Sequence, residues 1–417
     1  MKKIYLDYAA TTPVDKNVLK KMLPYFSEKF GNPMSLHSFG EIAREAVEKS
    51  RKQVADFLHC DTKEIIFTSG ATESNNLAIK GIIKNYFFGR KRDKNTRCSA
   101  GKPHIITTIF EHHCVLNSIK FLKESGQTEV TYLPVYKDGI VKTEDVKKAI
   151  KKNTILVSIM YVNNEIGTVQ PIKEIGKIIK NIKNKTKSVY PVFHTDATQA
   201  VNYFDCDVKK MNIDMLSFSG HKIYGPKGVG VLYVKKGLSV ARIQDGGDQE
   251  SGKRAGTHNV PGIVGLGEAI AMINDDQGSL AATNGQAMIN KIKSLRNYLI
   301  DKVLKEIKDV RLNGSKIKRS PNNANFTFKS VEGESLILML NEAGIACSTG
   351  SACSSGSLEP SHVLMSLGIK VEESHGSIRI TLGKYTTKKE IEYTVNVLKK
   401  TISKLRDISG DILKEFN

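Results

Sequence analysis

A lysine embedded in a glycine-rich stretch is the residue of this chain that most directly suggests chemistry. Lys222 lies within Ser-Phe-Ser-Gly-His-Lys-Ile-Tyr-Gly-Pro-Lys-Gly-Val-Gly (217–230), just after the apolar residues 214–218. The glycines and the proline interrupt both helical and strand periodicity, which predicts a tight loop. A lysine held beside an apolar strand loses hydration and becomes the nucleophilic amine that a Schiff base to an aldehyde cofactor needs. On this segment alone, a surface lysine in a glycine turn is an equally good interpretation.

Two further clusters combine small and polar residues after predicted strands. Residues 69–76, Ser-Gly-Ala-Thr-Glu-Ser-Asn-Asn, would leave backbone N–H groups and the Thr72 hydroxyl at a helix N-terminus. That arrangement suits a phosphate group, although simple helix capping explains it as well. In residues 194–199, His-Thr-Asp-Ala-Thr-Gln, Asp196 ends a strand. Its carboxylate could hold a pyridinium N–H or could cap a helix.

Two more clusters complete the set of candidate site segments. Residues 161–165, Tyr-Val-Asn-Asn-Glu, bring two amides to the end of another predicted strand, and residues 111–114, Glu-His-His-Cys, begin a predicted helix. A metal site at 111–114 is not favoured, because adjacent helical residues point to different sides and cannot chelate together. The flat face of a histidine suits stacking on an aromatic ring instead.

The elements that must position these clusters are short apolar runs that alternate with amphipathic helical stretches. Such alternation predicts an α/β fold whose mainly parallel sheet binds ligands at the carboxyl ends of its strands. The predicted strands are 65–68, 105–108, 130–133, 155–161, 190–195, 214–218 and 229–234, and the clearest predicted helices are 41–58, 72–86 and 172–183.

The pattern changes after the glycine-rich residues 246–267. A long helical region over 263–307 precedes strand-like runs at 324–328 and 377–382, which predicts a smaller α+β domain. We therefore expect a large domain over 16–262. The small domain is expected to combine 1–15 with 263–417 and to carry a loop at about 346–358.

Composition favours a cytoplasmic enzyme over a membrane or nucleic-acid-binding protein. No apolar run approaches the roughly 18 residues of a membrane span, and the N-terminus lacks a signal-peptide pattern. The net charge is +20, but 51 Lys stand against only 12 Arg and are spread along the chain, so direct nucleic-acid binding is not expected. The six scattered cysteines predict reduced thiols rather than disulfides.

These clusters together resemble the NifS/IscS group of cysteine desulfurases, within the class V aminotransferase-like family. The resemblance runs nearly end to end and in family order. It implies the aspartate aminotransferase-like fold of pyridoxal 5′-phosphate (PLP)-dependent transferases, and a homodimer. The matching segments are YLDYAATTPVD (5–15), FGNPMSLHSFG (30–40), IIFTSGATESNNLAIKG (65–81), ILVSIMYVNNEIGTVQ (155–170), HTDATQAV (194–201), LSFSGHKIYGPKGVGVLYV (216–234), RAGT (254–257), VEGESLI (331–337), STGSACSSGSLEPSHVL (348–364) and SIRITLG (377–383).

The resemblance assigns a role to each matching residue. Lys222 would bind the PLP aldehyde, Asp196 would pair with the pyridine nitrogen, and His112 would stack on the ring. Asn164 and Arg379 would bind the substrate carboxylate, for which a guanidinium fork is suited. The remaining implied contacts are Gln199 to the ring hydroxyl, Ala71, Thr72, Ser219 and His221 to the phosphate, Thr257 to the phosphate from the partner subunit, and Asn32 to the substrate.

Cys353 is the expected sulfur acceptor, because it lies in a run of small residues (348–357) with little apolar area to bury it. The implied reaction takes L-cysteine to L-alanine: Lys222 acts as base at Cα, and the Cys353 thiolate attacks the substrate sulfur to form a persulfide. Cys347, after an apolar pair, is interpreted as structural. Expected partners are an Fe–S scaffold protein, whose cluster Cys353 could ligate transiently, and tRNA-thiolation enzymes.

Two departures and two alternatives qualify this interpretation. Asp248 replaces a glycine and Ser251 an arginine of the family pattern, close to the expected subunit boundary. A selenocysteine lyase or another class V PLP enzyme would keep the cofactor and change the substrate. A basic RNA- or scaffold-binding protein with vestigial catalytic residues would instead lack the cofactor.

Overall fold

The computed structural model describes residues 3–92, 101–278, 283–349 and 359–415. Cys353 and most of the predicted loop at 346–358 therefore lie outside the described residues. The strands are β1 (Ile4–Tyr5), β2 (Ile65–Thr68), β3 (His104–Thr108), β4 (Glu129–Leu133), β5 (Thr154–Ser158), β6 (Val192–Asp196), β7 (Met215–Ser219), β8 (Gly230–Val234), β9 (Val310–Leu312), β10 (Asn323–Phe328), β11 (Ile345–Ala346) and β12 (Ser377–Thr381).

Helices surround and connect these strands. None of the helices in the described ranges combines the length and apolar character that crossing a bilayer requires. They are α1 (Lys16–Met22), α2 (Pro24–Ser27), α3 (Ser38–Leu58), α4 (Ala71–Arg92), α5 (His113–Glu124), α6 (Thr143–Ala149), α7 (Ile172–Thr186), α8 (Val208–Met211), α9 (Val260–Gly278), α10 (Thr283–Glu306), α11 (Gly333–Glu342), α12 (His362–Ser366), α13 (Val371–Ser374) and α14 (Lys388–Glu415).

The central sheet has seven strands in the order β2-β8-β7-β6-β5-β3-β4. All are parallel except β8, which runs antiparallel to both of its neighbours. Every strand but β4 is buried along its whole length, as expected for a sheet covered by helices on both faces. The predicted α/β class with a mainly parallel seven-stranded sheet is confirmed.

A second core lies around the smaller sheets. Strands β12, β10 and β9 form an antiparallel sheet, and β1 pairs in parallel with β11. Their apolar side chains share one cluster with α10, α11 and α14. Helix α9, which contains the predicted boundary at 262, packs its buried residues with α3 and the central sheet instead. The packing partner therefore changes at α10, and the two-domain division stays a prediction.

One predicted strand is shorter in the structure. Residues 155–161 were expected to be extended throughout, but β5 ends at Ser158. The chain continues beside β6 through single hydrogen bonds, in which Ile159 N donates to His194 O and Tyr161 N donates to Asp196 O. A short bridge between Val162 and Val169 then turns it towards the smaller sheet. Apolar composition alone does not distinguish this segment from a strand.

Candidate active site

A cavity of about 580 Å³ opens at the carboxyl ends of the central strands. Ends of β2, β6 and β7 reach it, as the fold class predicts. Asn32 and Thr257, both exposed, are not among its lining residues in this chain. The structure therefore brings most of the predicted site into one place. The predicted site residues that line the cavity are Ala71, Thr72, His112, Asn164, Asp196, Gln199, Ser219, His221, Lys222 and Arg379.

Lys222 is the last residue of a short 3₁₀ turn, Gly220–Lys222, that directly follows β7. Its Nζ donates to the carbonyl oxygens of Ala9 and Ala10, at 2.7 and 2.6 Å. Gln199 Nε2 donates to the same Ala9 oxygen at 3.0 Å. The N-terminal segment thus forms one wall of the cavity. The motif at 5–15 was the only sequence signal for this wall, and it carried no predicted role.

Asp196 is the last residue of β6 and is held by two donors. Asn75 Nδ2 donates to Oδ2 at 2.7 Å, and the backbone N of Thr198 donates to Oδ1 at 2.9 Å. The Asp196 residue is only 6% exposed. The carboxylate is consequently fixed in orientation at the cavity wall, as a partner for a buried ring N–H would have to be.

His112 caps the N-terminus of α5. Its Nδ1 accepts from the backbone N of Cys114 at 3.2 Å and lies 3.0 Å from Cys114 Sγ. Burial lowers the pKa of His112; nearby Asp196 acts in the opposite direction, and Lys222 adds to the lowering. The imidazole is therefore neutral at physiological pH, which suits a ring that packs flat on an aromatic ligand.

The second histidine of this cluster points elsewhere. The His113 ring centroid lies 4.7 Å from that of His362, and burial, reinforced by His362, lowers the pKa of His113. Within the described ranges, no group of three or more His, Cys, Asp or Glu side chains is placed to hold a metal ion.

The start of α4 forms the part of the wall predicted to bind phosphate. Gly230 of β8 packs so closely here that a Cβ on it would lie 2.6 Å from the Gly70 backbone, so only glycine permits this approach. Glu73 accepts from Ser69 N at 2.6 Å and pairs with Arg254 at 2.9 Å. Although burial opposes the effect, the Arg254 and Ser69 hydrogen bonds lower the pKa of Glu73.

His221 contributes a neutral imidazole to the same region. Its Nδ1 lies 3.1 Å from Thr11 Oγ1. Burial lowers the pKa of His221 to about 4, and the neighbouring charges of Lys222 and Lys227 act in the same direction. Hydrogen bonding by this ring, rather than charge, is therefore what it can offer an anion.

Arg379, in the middle of β12, brings the smaller sheet to the cavity. Its guanidinium donates to Asn164 O, Asp7 Oδ1 and Ser348 Oγ, each at 2.9 Å. Among the described residues, the buried Arg379 Nε and Asn164 Oδ1 have no hydrogen-bond partner. This guanidinium N–H and this amide oxygen therefore have unused hydrogen-bonding capacity, which an incoming polar ligand would satisfy.

Three residues of the site were not foreseen from the sequence. Asn75 and Cys114 contact Asp196 and His112 from neighbouring helices, and Glu111 lies fully buried before α5. Asn75 and Glu111 lie inside the polar segments 69–76 and 111–114, and the sequence suggests no role for Cys114 except that of a metal ligand. No spacing rule could show that their side chains turn towards the cavity wall.

Glu111 is a protonated acid at neutral pH. Its Oε1 accepts from Thr108 Oγ1 and Met160 N at 2.8 and 2.9 Å, and Oε2 has no partner in the described part of the chain. Burial raises the pKa of Glu111 to about 8, against its hydrogen bonds and with a smaller contribution from Asp196. The acid therefore titrates far above the unfolded value of about 4.3.

Glu111→Gln is expected to stabilise the protein increasingly as pH rises from about 4.5 to 8. In the wild type, the folded state binds the Glu111 proton more tightly than the unfolded state does. This stabilises the folded state at low pH, and the stabilisation is lost as pH rises through the folded pKa of about 8. The difference between variant and wild type should grow by up to about 1.4 kcal/mol per pH unit. Urea unfolding at several pH values measures it. Glu124→Gln, an exposed site on α5, is the control. A pH-independent difference would contradict the assignment.

Comparison with known proteins agrees with this geometry. The family model described as aminotransferase class-V matches residues 4–394. A cysteine desulfurase IscS of Dictyoglomus turgidum is 49% identical over 408 residues, covering 98% of this chain and 96% of that protein. A solved NifS-like protein has a TM-score of 0.84 at 35% identity, with 96% of this chain and 99% of that one covered. The structure described as SspA in complex with cysteine has a TM-score of 0.75 at 38% identity, covering 92% and 100%.

Fold, cavity and comparisons define the class: the chain belongs to the aminotransferase class-V family. The predicted resemblance is thereby confirmed over almost the whole chain. Within that family it belongs to the NifS/IscS group. The roles of its individual residues are not tested by these comparisons and stay predictions.

Proposed function

We propose that this chain is a PLP-dependent cysteine desulfurase, which converts L-cysteine to L-alanine and transfers the sulfur to its own Cys353. One observation carries the proposal. A single cavity combines the amine of Lys222, the fixed carboxylate of Asp196 and the neutral ring of His112 with the guanidinium of Arg379. The names of the relatives, cysteine desulfurase IscS among them, support the same activity.

The residues of the cavity suit PLP. Lys222 would hold the aldehyde, Asp196 the pyridine nitrogen, and His112 one face of the ring, with Gln199 at the ring hydroxyl. Thr198 Oγ1, which also lines the cavity, is buried and lacks a partner within the described residues, so the wall retains unused polar capacity. When bound, the cofactor supplies an electron sink that weakens bonds at the substrate Cα. The phosphate would be held by Ala71, Thr72, Ser219 and His221.

The smaller sheet would hold the substrate. A carboxylate fits the unpaired Arg379 Nε and the side chain of Asn164, because charge-assisted hydrogen bonds to guanidinium are strong and directional. The Lys222 amine would take the Cα proton and later return it. The Ala9 and Ala10 carbonyl oxygens, which accept hydrogen bonds from Nζ, would hold the free amine in place. Asn32 is a further candidate for substrate contact from an exposed position.

Cys353 would accept the sulfur as a persulfide and pass it on. An Fe–S scaffold protein is the principal acceptor that we propose, with tRNA-thiolation enzymes as further acceptors and with transient ligation of a cluster by the same thiol. We also propose a cytoplasmic location. Direct nucleic-acid contact is not proposed, because arginines that would read bases are few.

The activity is tested with purified protein supplied with PLP and L-cysteine. We expect a near-visible absorption band, formation of L-alanine, and a persulfide on Cys353 detected by mass spectrometry. Parallel incubation with L-selenocysteine distinguishes a selenocysteine lyase, which would release alanine faster from that substrate and independently of Cys353. Colourless protein, or coloured protein that forms no alanine from cysteine, would overturn the proposal.

We further propose a homodimer, formed through an apolar face at residues 19–42. Exposed apolar side chains of this extent are uncommon on monomers. The segment adjoins the loop carrying Thr257, since Pro33 and Met34 share a cavity of about 390 Å³ with Glu250 and His258. Thr257 and Asn32 would then face the partner's site. The exposed members are Leu19, Leu23, Phe26, Phe30, Met34, Leu36, Phe39 and Ile42.

Phe30→Glu is expected to dissociate the dimer, because it places a charge in the apolar face. Analytical ultracentrifugation should show mainly monomer, with weaker PLP binding where Thr257 no longer reaches the partner. The matched control is Phe121→Glu, a similarly exposed phenylalanine on α5. Equal mass for both variants and the wild type would exclude this face as the interface.

A further inference from the structure

Two side chains beside the cavity have no part in the function proposed above. Asn75 lies in α4 and is completely buried. Cys114 lies in the first turn of α5 and lines the cavity. They belong to different helices, yet they contact each other, with Asn75 Nδ2 lying 3.1 Å from Cys114 Sγ.

The contact extends into a chain of four side chains. The Asn75 amide donates one hydrogen to Asp196 Oδ2 at 2.7 Å and the other to Cys114 Sγ. Cys114 Sγ in turn lies 3.0 Å from His112 Nδ1. The order is therefore Asp196, Asn75, Cys114, His112. The two ends are the carboxylate and the imidazole that line the cavity.

Counting donors fixes the direction of each bond. His112 Nδ1 accepts the backbone N–H of Cys114, so this nitrogen carries a lone pair and the ring proton is on Nε2. An amide NH₂ group can only donate, so the sulfur accepts from Asn75. The thiol hydrogen then shares the one lone pair of Nδ1 with that backbone N–H, in a three-centre hydrogen bond. Burial, strengthened by the charge of Asp196, raises the pKa of Cys114, so the hydrogen stays on the sulfur.

We propose that Asn75 and Cys114 are positioning residues, which hold His112 as the neutral Nε2–H tautomer and hold the Asp196 carboxylate in register with it. The inference rests on the proposed function only in the roles it gives His112 and Asp196. The Asn75 amide thus links the Asp196 carboxylate directly, and the His112 ring through Cys114, to one fixed group. The Cys114 thiol is consumed as a hydrogen-bond donor, which separates it from the sulfur-accepting role of Cys353.

The test uses full-length protein without cofactor, labelled with ¹⁵N-histidine. Long-range ¹H–¹⁵N spectra, assigned by comparison with His112→Gln, report the tautomer and the protonation midpoint. In the wild type we expect the Nε2–H tautomer and a midpoint below the ordinary histidine value. In Cys114→Ala the proton affinity of His112 should rise roughly threefold to tenfold, the effect of losing one neutral hydrogen bond. Cys114→Ser should restore the wild-type midpoint, since a hydroxyl donates in the same place.

Cys60→Ala is the matched control, because this half-buried thiol lies after α3, and it should leave the His112 signals unchanged. An unchanged midpoint in Cys114→Ala, or an Nδ1–H tautomer in the wild type, would overturn the proposal. A second measurement needs no variant: Cys114 should resist iodoacetamide at pH 8, and rapid alkylation there would show a thiolate that cannot donate. If these results are as expected while loaded enzyme forms no alanine, only the proposed function fails.

Discussion

Replacement of Lys222 by alanine is expected to reduce alanine formation from L-cysteine by about 10²–10⁴-fold or more, because in the proposed function one positioned amine would both hold the cofactor and move the Cα proton. The surroundings of Lys222 suit this role. The residue follows a fully buried strand, and its Nζ donates to two backbone carbonyls.

The measurement is single-turnover alanine release with PLP present, together with the absorption spectrum of the protein. Lys236→Ala is the matched control, because this lysine is exposed just beyond β8 on the same sheet. The variant at 222 should lose the near-visible band, whereas the control should keep both band and rate. Near-wild-type release by Lys222→Ala would remove the lysine from the reaction and with it the proposed use of the cavity.

Replacement of Cys353 by alanine is expected to stop sulfur transfer while leaving the cofactor bound. Loss of a nucleophile in covalent catalysis can cost up to about 10⁶-fold, and here we expect at least about 10²-fold lower alanine formation. The substitution changes none of the described side chains that line the cavity, so the absorption band of the cofactor should persist. This separation of colour from turnover distinguishes the second step of the proposed reaction from the first.

Cys347 offers a control thiol six positions earlier. It is half-buried, and burial raises the pKa of Cys347 to about 12, so it is a poor nucleophile. Cys347→Ala should retain persulfide formation and alanine release. Persulfide mapped to Cys347 or Cys114 in wild-type enzyme, or undiminished alanine release by Cys353→Ala, would assign the sulfur to another residue.

The groups at strand ends were predictable because a parallel sheet gathers its carboxyl ends at one edge. Lys222 and Thr72 follow two such strands and Asp196 ends a third, and all three residues line the cavity. Sequence periodicity also predicted most strands within one or two residues. It did not reveal that β8 runs antiparallel, since burial on both faces gives the same apolar run in either direction.

Contacts between distant segments were beyond the reach of sequence patterns. Ala9 and Lys222 are 213 residues apart, and Asn75 and Asp196 are 121 apart, so only the folded chain brings them together. The titration of Glu111 was equally hidden. The raised pKa of Glu111 comes from complete burial, which depends on the packing of the folded chain and cannot be inferred from the residue type.

The carbonyls of Ala9 and Ala10 have a consequence beyond the cavity wall. They follow β1, whose partner β11 ends one residue before Cys347 and seven before Cys353. The contacts of the Lys222 amine and the described chain that precedes Cys347 thus both adjoin the same pair of short strands. If Lys222 acts as proposed, a truncated form without residues 1–10 would lose both the carbonyls that accept from its amine and the strand that pairs with β11.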